Sequence, residues 1–148
     1  MKINIASNEV IHFIGIGGIG MSGLAQIMSN MGFQIQGSDL NGNKNTHRLK
    51  KRGIKIFIGH NKQNIKKATM VVISSAIKNN NKELIAAKNK NLPVFKRGEM
   101  LANIVALKKN IVVTGSHGKT TTTSLVANIL VESGLDPTVI NGGLINSL

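Results

Sequence analysis

The sequence predicts an α/β fold built on a parallel sheet. Three observations carry that expectation. Short apolar runs alternate with stretches of helical periodicity. Two glycine-rich turns each lie between such a run and a helix. A hydrophobic content of 41% in 148 residues supports one ordinary domain plus the opening of another.

Val10 to Ile14 is an apolar run ended by Gly15 and reads as a buried strand. Met21, Leu24, Met28 and Met31 recur at spacings of three, four and three, one face of a helix that Gly32 stops. Phe33 to Gln36 is a second strand, with Asp39 just beyond its end. Ile54, Ile56 and Ile58 mark a third strand, and Met70 to Ile73 a fully buried fourth. Leu84, Ile85 and Ala87 indicate a short helix. Pro93 to Phe95 is a fifth strand, with proline at the start, where it removes no needed donor. Met100, Leu101, Ile104 and Val105 line another helix. A polar break at Leu107 to Asn110 closes this unit. Beyond it, Ile111 to Thr114 is expected to be a strand. Leu125, Val126, Ile129 and Leu130 line a helix closed by Gly134, and Pro137 to Ile140 begins a further strand. Residues 1–106 are thus expected to form a complete domain. Residues 107–148 give one strand–helix–strand unit, too little for an independent core.

Composition excludes several classes. The chain has no cysteine, so neither disulfides nor thiolate metal sites arise. With no Trp, no Tyr and 4 Phe, it lacks the stacking platforms of single-strand binders. No apolar run approaches the ~20 residues of a membrane span, and the N-terminus lacks the pattern of a secretory signal. A soluble, cytoplasmic protein is expected, with neither nucleic acid nor membrane as partner. The net charge of +13 does not argue otherwise. It comes from 16 Lys and 3 Arg spread over both halves, alongside abundant Asn and Ile, which reads as compositional drift rather than a patch. A lysine-rich surface still concentrates anionic ligands.

Two turns carry chemistry. Gly15-Ile16-Gly17-Gly18-Ile19-Gly20 fits G-x-G-x-x-G, with a strand before it, a helix after it, and Asp39 nineteen positions beyond Gly20. Glycine lets the backbone approach a pyrophosphate, and the helix N-terminus offers free N–H donors. Asp39 is placed to accept from ribose hydroxyls. The bland alternative is that the glycines serve close helix–strand packing. Alone, this half reads as a Rossmann-like, NAD-type domain. The second turn, Gly115-Ser116-His117-Gly118-Lys119-Thr120, departs from the full phosphate-loop pattern because Val113 holds the first glycine's position. Its working end is intact: backbone donors after Gly115, Lys119 for the β- and γ-phosphates, and the Thr120 hydroxyl for Mg²⁺. The threonines from Thr120 to Thr123 exceed what a helix cap needs. Among lesser candidates, His60 follows Gly59 at a strand end, and Ser74 and Ser75 close the fourth strand at the same edge. His12 reads as structural and His47 as surface. Glu99 and Arg97 are a candidate ion pair. Two nucleotide-type turns in tandem point away from hydride transfer, which needs no second phosphate loop.

The stretches IHFIGIGGIGMSGLA, GSDL, GHN, VVISSAI, RGEML, TGSHGKTTTTSLVANIL and GLDPTVINGG resemble the Mur ligases in nearly unbroken register from Val10 onward. The form GIGGIGMSG is similar to that of the family's alanine-adding branch. The resemblance implies a Rossmann-like domain for a UDP-sugar over residues 1–106, and the beginning of a central ATP-binding domain over 107–148. It implies UDP-N-acetylmuramate and L-alanine as substrates, with ATP and Mg²⁺. Gly15, Gly17, Gly18, Gly20, Met21 and Ser22 would lie at the UDP diphosphate, and Asp39 toward the ribose or uracil. His60, Ser74 and Ser75 are carried as further substrate contacts. Gly115, Ser116, His117, Gly118, Lys119, Thr120 and Thr121 would hold ATP, with Lys119 and Thr120 catalytic and Thr120 on the metal. Further metal ligands and the amino-acid site would lie beyond Leu148, so this chain alone is expected to be inactive. Two alternatives stay open: a sibling ligase that attaches a whole peptide to the same UDP-sugar, and a non-catalytic dinucleotide-binding regulatory domain.

Overall fold

The computed structural model describes residues 9–141 and the backbone of residues 144–147. The outer ends of the two expected domain spans lie outside the described residues. Five strands form one parallel sheet in the order β3-β2-β1-β4-β5: β1 (Val10–Ile14), β2 (Gln34–Asp39), β3 (Lys55–Ile58), β4 (Met70–Ile73) and β5 (Val94–Lys96). Helices α1 (Ile19–Asn30), α2 (Lys44–Lys51), α3 (Lys82–Asn89) and α4 (Arg97–Val105) and a 3₁₀ turn (Lys62–Ile65) connect them. The expected parallel α/β sheet is therefore present. Strand order reverses beside β1, so the loops after β1 and β4 diverge and open a crevice at the carboxyl edge.

The sheet is covered on both faces. Alternation along β1 sends Ile11 and Phe13 one way and His12 and Ile14 the other. Ile11 and Phe13 join Leu24, Ala25 and Met28 of α1, Leu49 of α2, and Met100 and Ile104 of α4 in one core. Ile14 joins Val71, Ile65, Leu84 and Ala87 in a smaller core under α3 and the 3₁₀ turn. Gly37 is required where β2 meets the β1–α1 turn. A Cβ there would lie 2.6 Å from Ile16 Cδ1 and 2.7 Å from the Phe13 carbonyl oxygen.

Helix α2 is absent from the sequence expectations. Its eight residues carry one buried apolar side chain, Leu49, and no apolar stripe. A capping box starts it instead. The Asn43 side chain accepts from the N–H groups of Asn45 and Thr46, and Thr46 Oγ1 accepts from Asn43 N. Arg48, Lys50 and Lys51 in its last turn complement the dipole.

Residues 107–141 depart from expectation at one place. Ile111 to Thr114 is not a strand. A strand exists only by pairing, and no edge pairs with this segment among the described residues, so Ile111 and Val112 stand exposed. The expected helix is α5 (Lys119–Glu132), followed by an antiparallel pair, β6 (Thr138–Asn141) and β7 (Leu144–Ser147). Of the helix face expected to be apolar, Leu125 and Ile129 are exposed, and Ala127 is the buried residue of α5. Ile140 packs against the larger core. No helix among the described residues is long and apolar enough to cross a membrane.

Candidate functional site

The first glycine turn sits at the mouth of the crevice. Gly15 takes a φ of +83°, a left-handed conformation that glycine adopts without strain, and its N–H donates to the Ser38 carbonyl. Gly18 is the N-cap of α1, and Ser22 N closes the first helical bond to its carbonyl at 2.8 Å. The first turn of α1 has no acidic residue and no side-chain cap, so the N–H groups of Ile19, Gly20 and Met21 remain as donors. These, with the positive dipole end, suit an anion.

Not every residue assigned to this loop offers its side chain to a ligand. The Gly17 N–H is engaged by Asp39 Oδ2 at 2.8 Å, and its carbonyl by the Asn45 amide at 2.9 Å and the Asn43 amide at 3.3 Å. A Cβ at Gly17 would lie 2.5 Å from Asn43 Nδ2. Asp39 thus ties the end of β2 to the loop, while its Oδ1 is left for another donor. Met21 is buried in the core, and the buried Ser22 hydroxyl donates back to the Ile19 carbonyl. The Met21 side chain packs beneath the loop, with Cγ 3.7 Å from where a Gly18 Cβ would lie, and offers it no polar group. Arg97 lies over Gly20, where a Cβ would be 3.0 Å from the guanidinium. The ion pair read between Arg97 and Glu99 is absent. Glu99 instead accepts from Lys96 N, at the start of α4. Ser74 bonds β1 through its N–H to the Ile14 carbonyl, and Ser75 is exposed beside it.

A buried polar cluster that the sequence did not announce lies under the same edge, on the α3 face. Its centre is Glu83, wholly buried, in the first turn of α3. Oε2 accepts from the Ser38 hydroxyl at 2.5 Å and from His60 Nδ1 at 3.1 Å, with His12 Nε2 at 3.5 Å. Oε1 accepts from Asn64 Nδ2 at 2.6 Å and from Asn61 N at 3.3 Å. Burial resists the charged form, but the donors of His12, Ser38 and Asn64 outweigh it and hold the carboxyl down at about 2. The network fixes proton positions. Gln36 Nε2 donates to the Asn64 carbonyl, so the same NH₂ faces His12 Nδ1, which accepts. His12 therefore carries its proton on Nε2, toward Glu83. One signal was available: His12 and Gln36 are paired in register, and Ser38 lies two residues on, a polar row on one sheet face.

The second turn is wholly exposed from Gly115 to Thr121. Gly118 caps α5 at a φ of +74°. Lys119 Nζ donates to the carbonyls of Gly115 at 2.6 Å and Ser116 at 3.1 Å, closing the loop on itself. The hydroxyls of Thr123 and Ser124 bond back to the carbonyls of Lys119 and Thr120. The Thr120 and Thr121 hydroxyls make no such bond among the described residues. No cluster of three or more metal-ligating side chains occurs among the described residues.

Residues 10–109 match the model of the Mur ligase family, catalytic domain. The chain belongs to the Mur ligase family. It is 71% identical over 148 residues to the UDP-N-acetylmuramate–L-alanine ligase of Pelagibacter ubique, covering all of this chain and 32% of that protein. The ligase of the same name from Rickettsia typhi is 59% identical over 137 residues, 93% of this chain and 28% of that one. The chain thus spans about a third of the length of these Mur relatives. Among solved structures, the UDP-N-acetylmuramate–alanine ligase of Thermotoga maritima superposes with a TM-score of 0.79 at 36% identity, covering 89% of this chain and 31% of that one. The UDP-N-acetylmuramate:L-alanyl-γ-D-glutamyl-meso-diaminopimelate ligase of Neisseria meningitides gives 0.80 at 34% identity, covering 92% and 43%. Shape alone does not separate the alanine-adding from the peptide-adding Mur ligases.

Proposed function

We propose that this chain supplies the UDP-sugar site and the ATP loop of a ligase that joins L-alanine to UDP-N-acetylmuramate. The observation that carries the reading is the pair of phosphate-type turns on one chain, Gly15–Gly20 and Gly115–Thr120. The choice of L-alanine over a peptide rests on the names of the similar curated proteins.

The chemistry stems from the weakness of a carboxylate as an acyl donor. ATP transfers its γ-phosphoryl group to the lactyl carboxylate of UDP-N-acetylmuramate, giving an acyl phosphate and ADP. The amine of L-alanine attacks the acyl carbon, the C–O bond to phosphate breaks, and the amine proton leaves to solvent or base. On this chain, the N–H groups of Ile19, Gly20 and Met21, with the Arg97 guanidinium above Gly20, hold the diphosphate. Asp39 holds the ribose through the oxygen it does not spend on Gly17. Lys119 exchanges the carbonyls of Gly115 and Ser116 for phosphate oxygens and steadies the charge that spreads over them. The uncommitted Thr120 hydroxyl would offer one oxygen ligand to Mg²⁺. Mg²⁺ would neutralise charge on the β- and γ-phosphates.

Calorimetric titration of the chain with UDP-N-acetylmuramate and with NAD tests the first site. Tighter binding of the UDP-sugar is expected. Tighter binding of NAD would overturn the reading.

A further inference from the structure

We propose that Glu83 is a positioning residue that locks His60 in the tautomer whose Nε2 accepts a hydrogen bond, so that the site selects a uracil base over a cytosine base. The inference rests on the nucleotide reading above, and it concerns residues at the base end that the reading leaves without a role.

The tautomer is set by donors and acceptors. The Ser38 hydroxyl has one proton, and it goes to Glu83 Oε2 at 2.5 Å. His60 Nδ1 lies 3.0 Å from that same Ser38 oxygen and 3.1 Å from Glu83 Oε2. An ionised carboxylate only accepts, and a hydroxyl that has given its proton away only accepts. Nδ1 therefore carries the proton and donates to both. In the neutral ring, Nε2 then holds a lone pair, and it makes no hydrogen bond among the described residues. The His60 side chain is 11% exposed, while that of Glu83 is fully buried. The carboxylate thus acts from beneath, and the imidazole is the group within reach of a ligand.

Topology places His60 at the base end. The diphosphate turn comes after β1, Asp39 ends β2, and His60 comes after β3, so the three lie on successive strands of one carboxyl edge. Gly59 N donates to the Asp39 carbonyl at 2.7 Å, which ties the end of β3 to the ribose-side residue. Neighbouring strands are ~4.8 Å apart, so the edge from β1 to β3 spans about the distance from a diphosphate to a base. Uracil presents an N3–H donor on its pairing edge. Cytosine presents an N3 acceptor there. The Nε2 lone pair of this tautomer satisfies the first and confronts the second with another lone pair, and an unpaired polar edge is costly once desolvated. The rest of the shell holds Glu83 in place: Asn64 from the 3₁₀ turn and the Asn61 N–H complete the carboxylate's donors, with His12 Nε2 from β1 3.5 Å away.

The test measures UDP and CDP affinities by calorimetry for the wild-type chain, Glu83→Gln, His60→Ala and the double variant, with the histidine tautomer read from imidazole ¹⁵N shifts. The wild type is expected to prefer UDP by roughly tenfold or more. His60 is expected to show a protonated Nδ1 and a bare Nε2. Glu83→Gln and His60→Ala should each erase most of the preference, and the double variant should lose no more than either alone. A preference that survives in Glu83→Gln, or losses that add in the double variant, would overturn the proposal. So would an Nε2–H tautomer in the wild type, a measurement that stands even where Glu83→Gln fails to fold. Failure of the wild type to bind either nucleotide would instead refute the nucleotide reading itself, and this inference with it.

Discussion

Acid should unfold this protein partly through one carboxylate, and Glu83→Gln isolates it. The substitution keeps the shape of the side chain and removes its charge. In the folded state the Glu83 carboxyl titrates at about 2, against an ordinary value of 4.5. The folded chain therefore binds fewer protons than the unfolded chain between those values. The stability from this group is complete above 4.5 and is lost as pH falls toward about 2. One pKa unit corresponds to ~1.4 kcal/mol, so the contribution at neutral pH is about 3 kcal/mol. Urea unfolding followed by circular dichroism, on wild type and Glu83→Gln across about pH 2 to 6, measures it. The stability gap between the two is expected to shrink by about 3 kcal/mol as pH drops through the window, other carboxylates cancelling in the difference. A gap that stays constant would refute the account of Glu83 as a charge held by its donors, and a gap that moves in wild type's favour on acidification would mean that it is buried as the neutral acid.

Three further outcomes are expected. Gly37→Ala should lower stability by about 2–3 kcal/mol or more, because the added methyl meets a ladder carbonyl and a fully buried isoleucine; an unchanged thermal midpoint would show that both can retreat. Lys119→Ala should weaken MgATP at least about tenfold in a nucleotide-binding assay and leave UDP-sugar affinity as it was. Equal losses at both ligands would contradict two separate sites. Limited proteolysis should cut first between Leu107 and Gly118, where the backbone belongs to no helix or strand and Ile111 and Val112 are exposed, leaving a core that ends near residue 106. First cuts within β1 to β5 would contradict this.

The apolar runs were legible because burial writes itself into sequence. Met70 to Ile73 can sit only inside a sheet covered on both faces, and it does. The same rule misled at Ile111 to Thr114, where hydrophobicity was present and a pairing partner was not. Helix α2 was hidden for the converse reason: capping by Asn43 and Thr46 started it without an apolar stripe to advertise it. Both glycine turns were visible, since backbone needs select the residue directly. Their internal wiring was not. That Asp39 spends one oxygen on Gly17, or that Met21 and Ser22 turn inward, depends on which way each side chain leaves the backbone. Glu83 was the most obscure, because an acid near a helix start ordinarily does no more than complement the dipole. Only three-dimensional neighbours reveal that its donors come from β1, β2, the 3₁₀ turn and the residues between β3 and that turn.

Lys119 closes its own loop, with its ammonium seated on the carbonyls of Gly115 and Ser116. On the proposed reading, a triphosphate entering this loop would meet an occupied cation seat rather than a slack chain. Docking is then a swap of oxygen ligands around one nitrogen, and little backbone order remains to be created. Affinity gained this way is sensitive to the size of the cation. A guanidinium carries its charge on a broad plane with fixed donor directions, whereas the ammonium is compact and turns freely. On that reading the loop favours lysine twice, as the strut that keeps the turn in shape and as the hand that would let go of it.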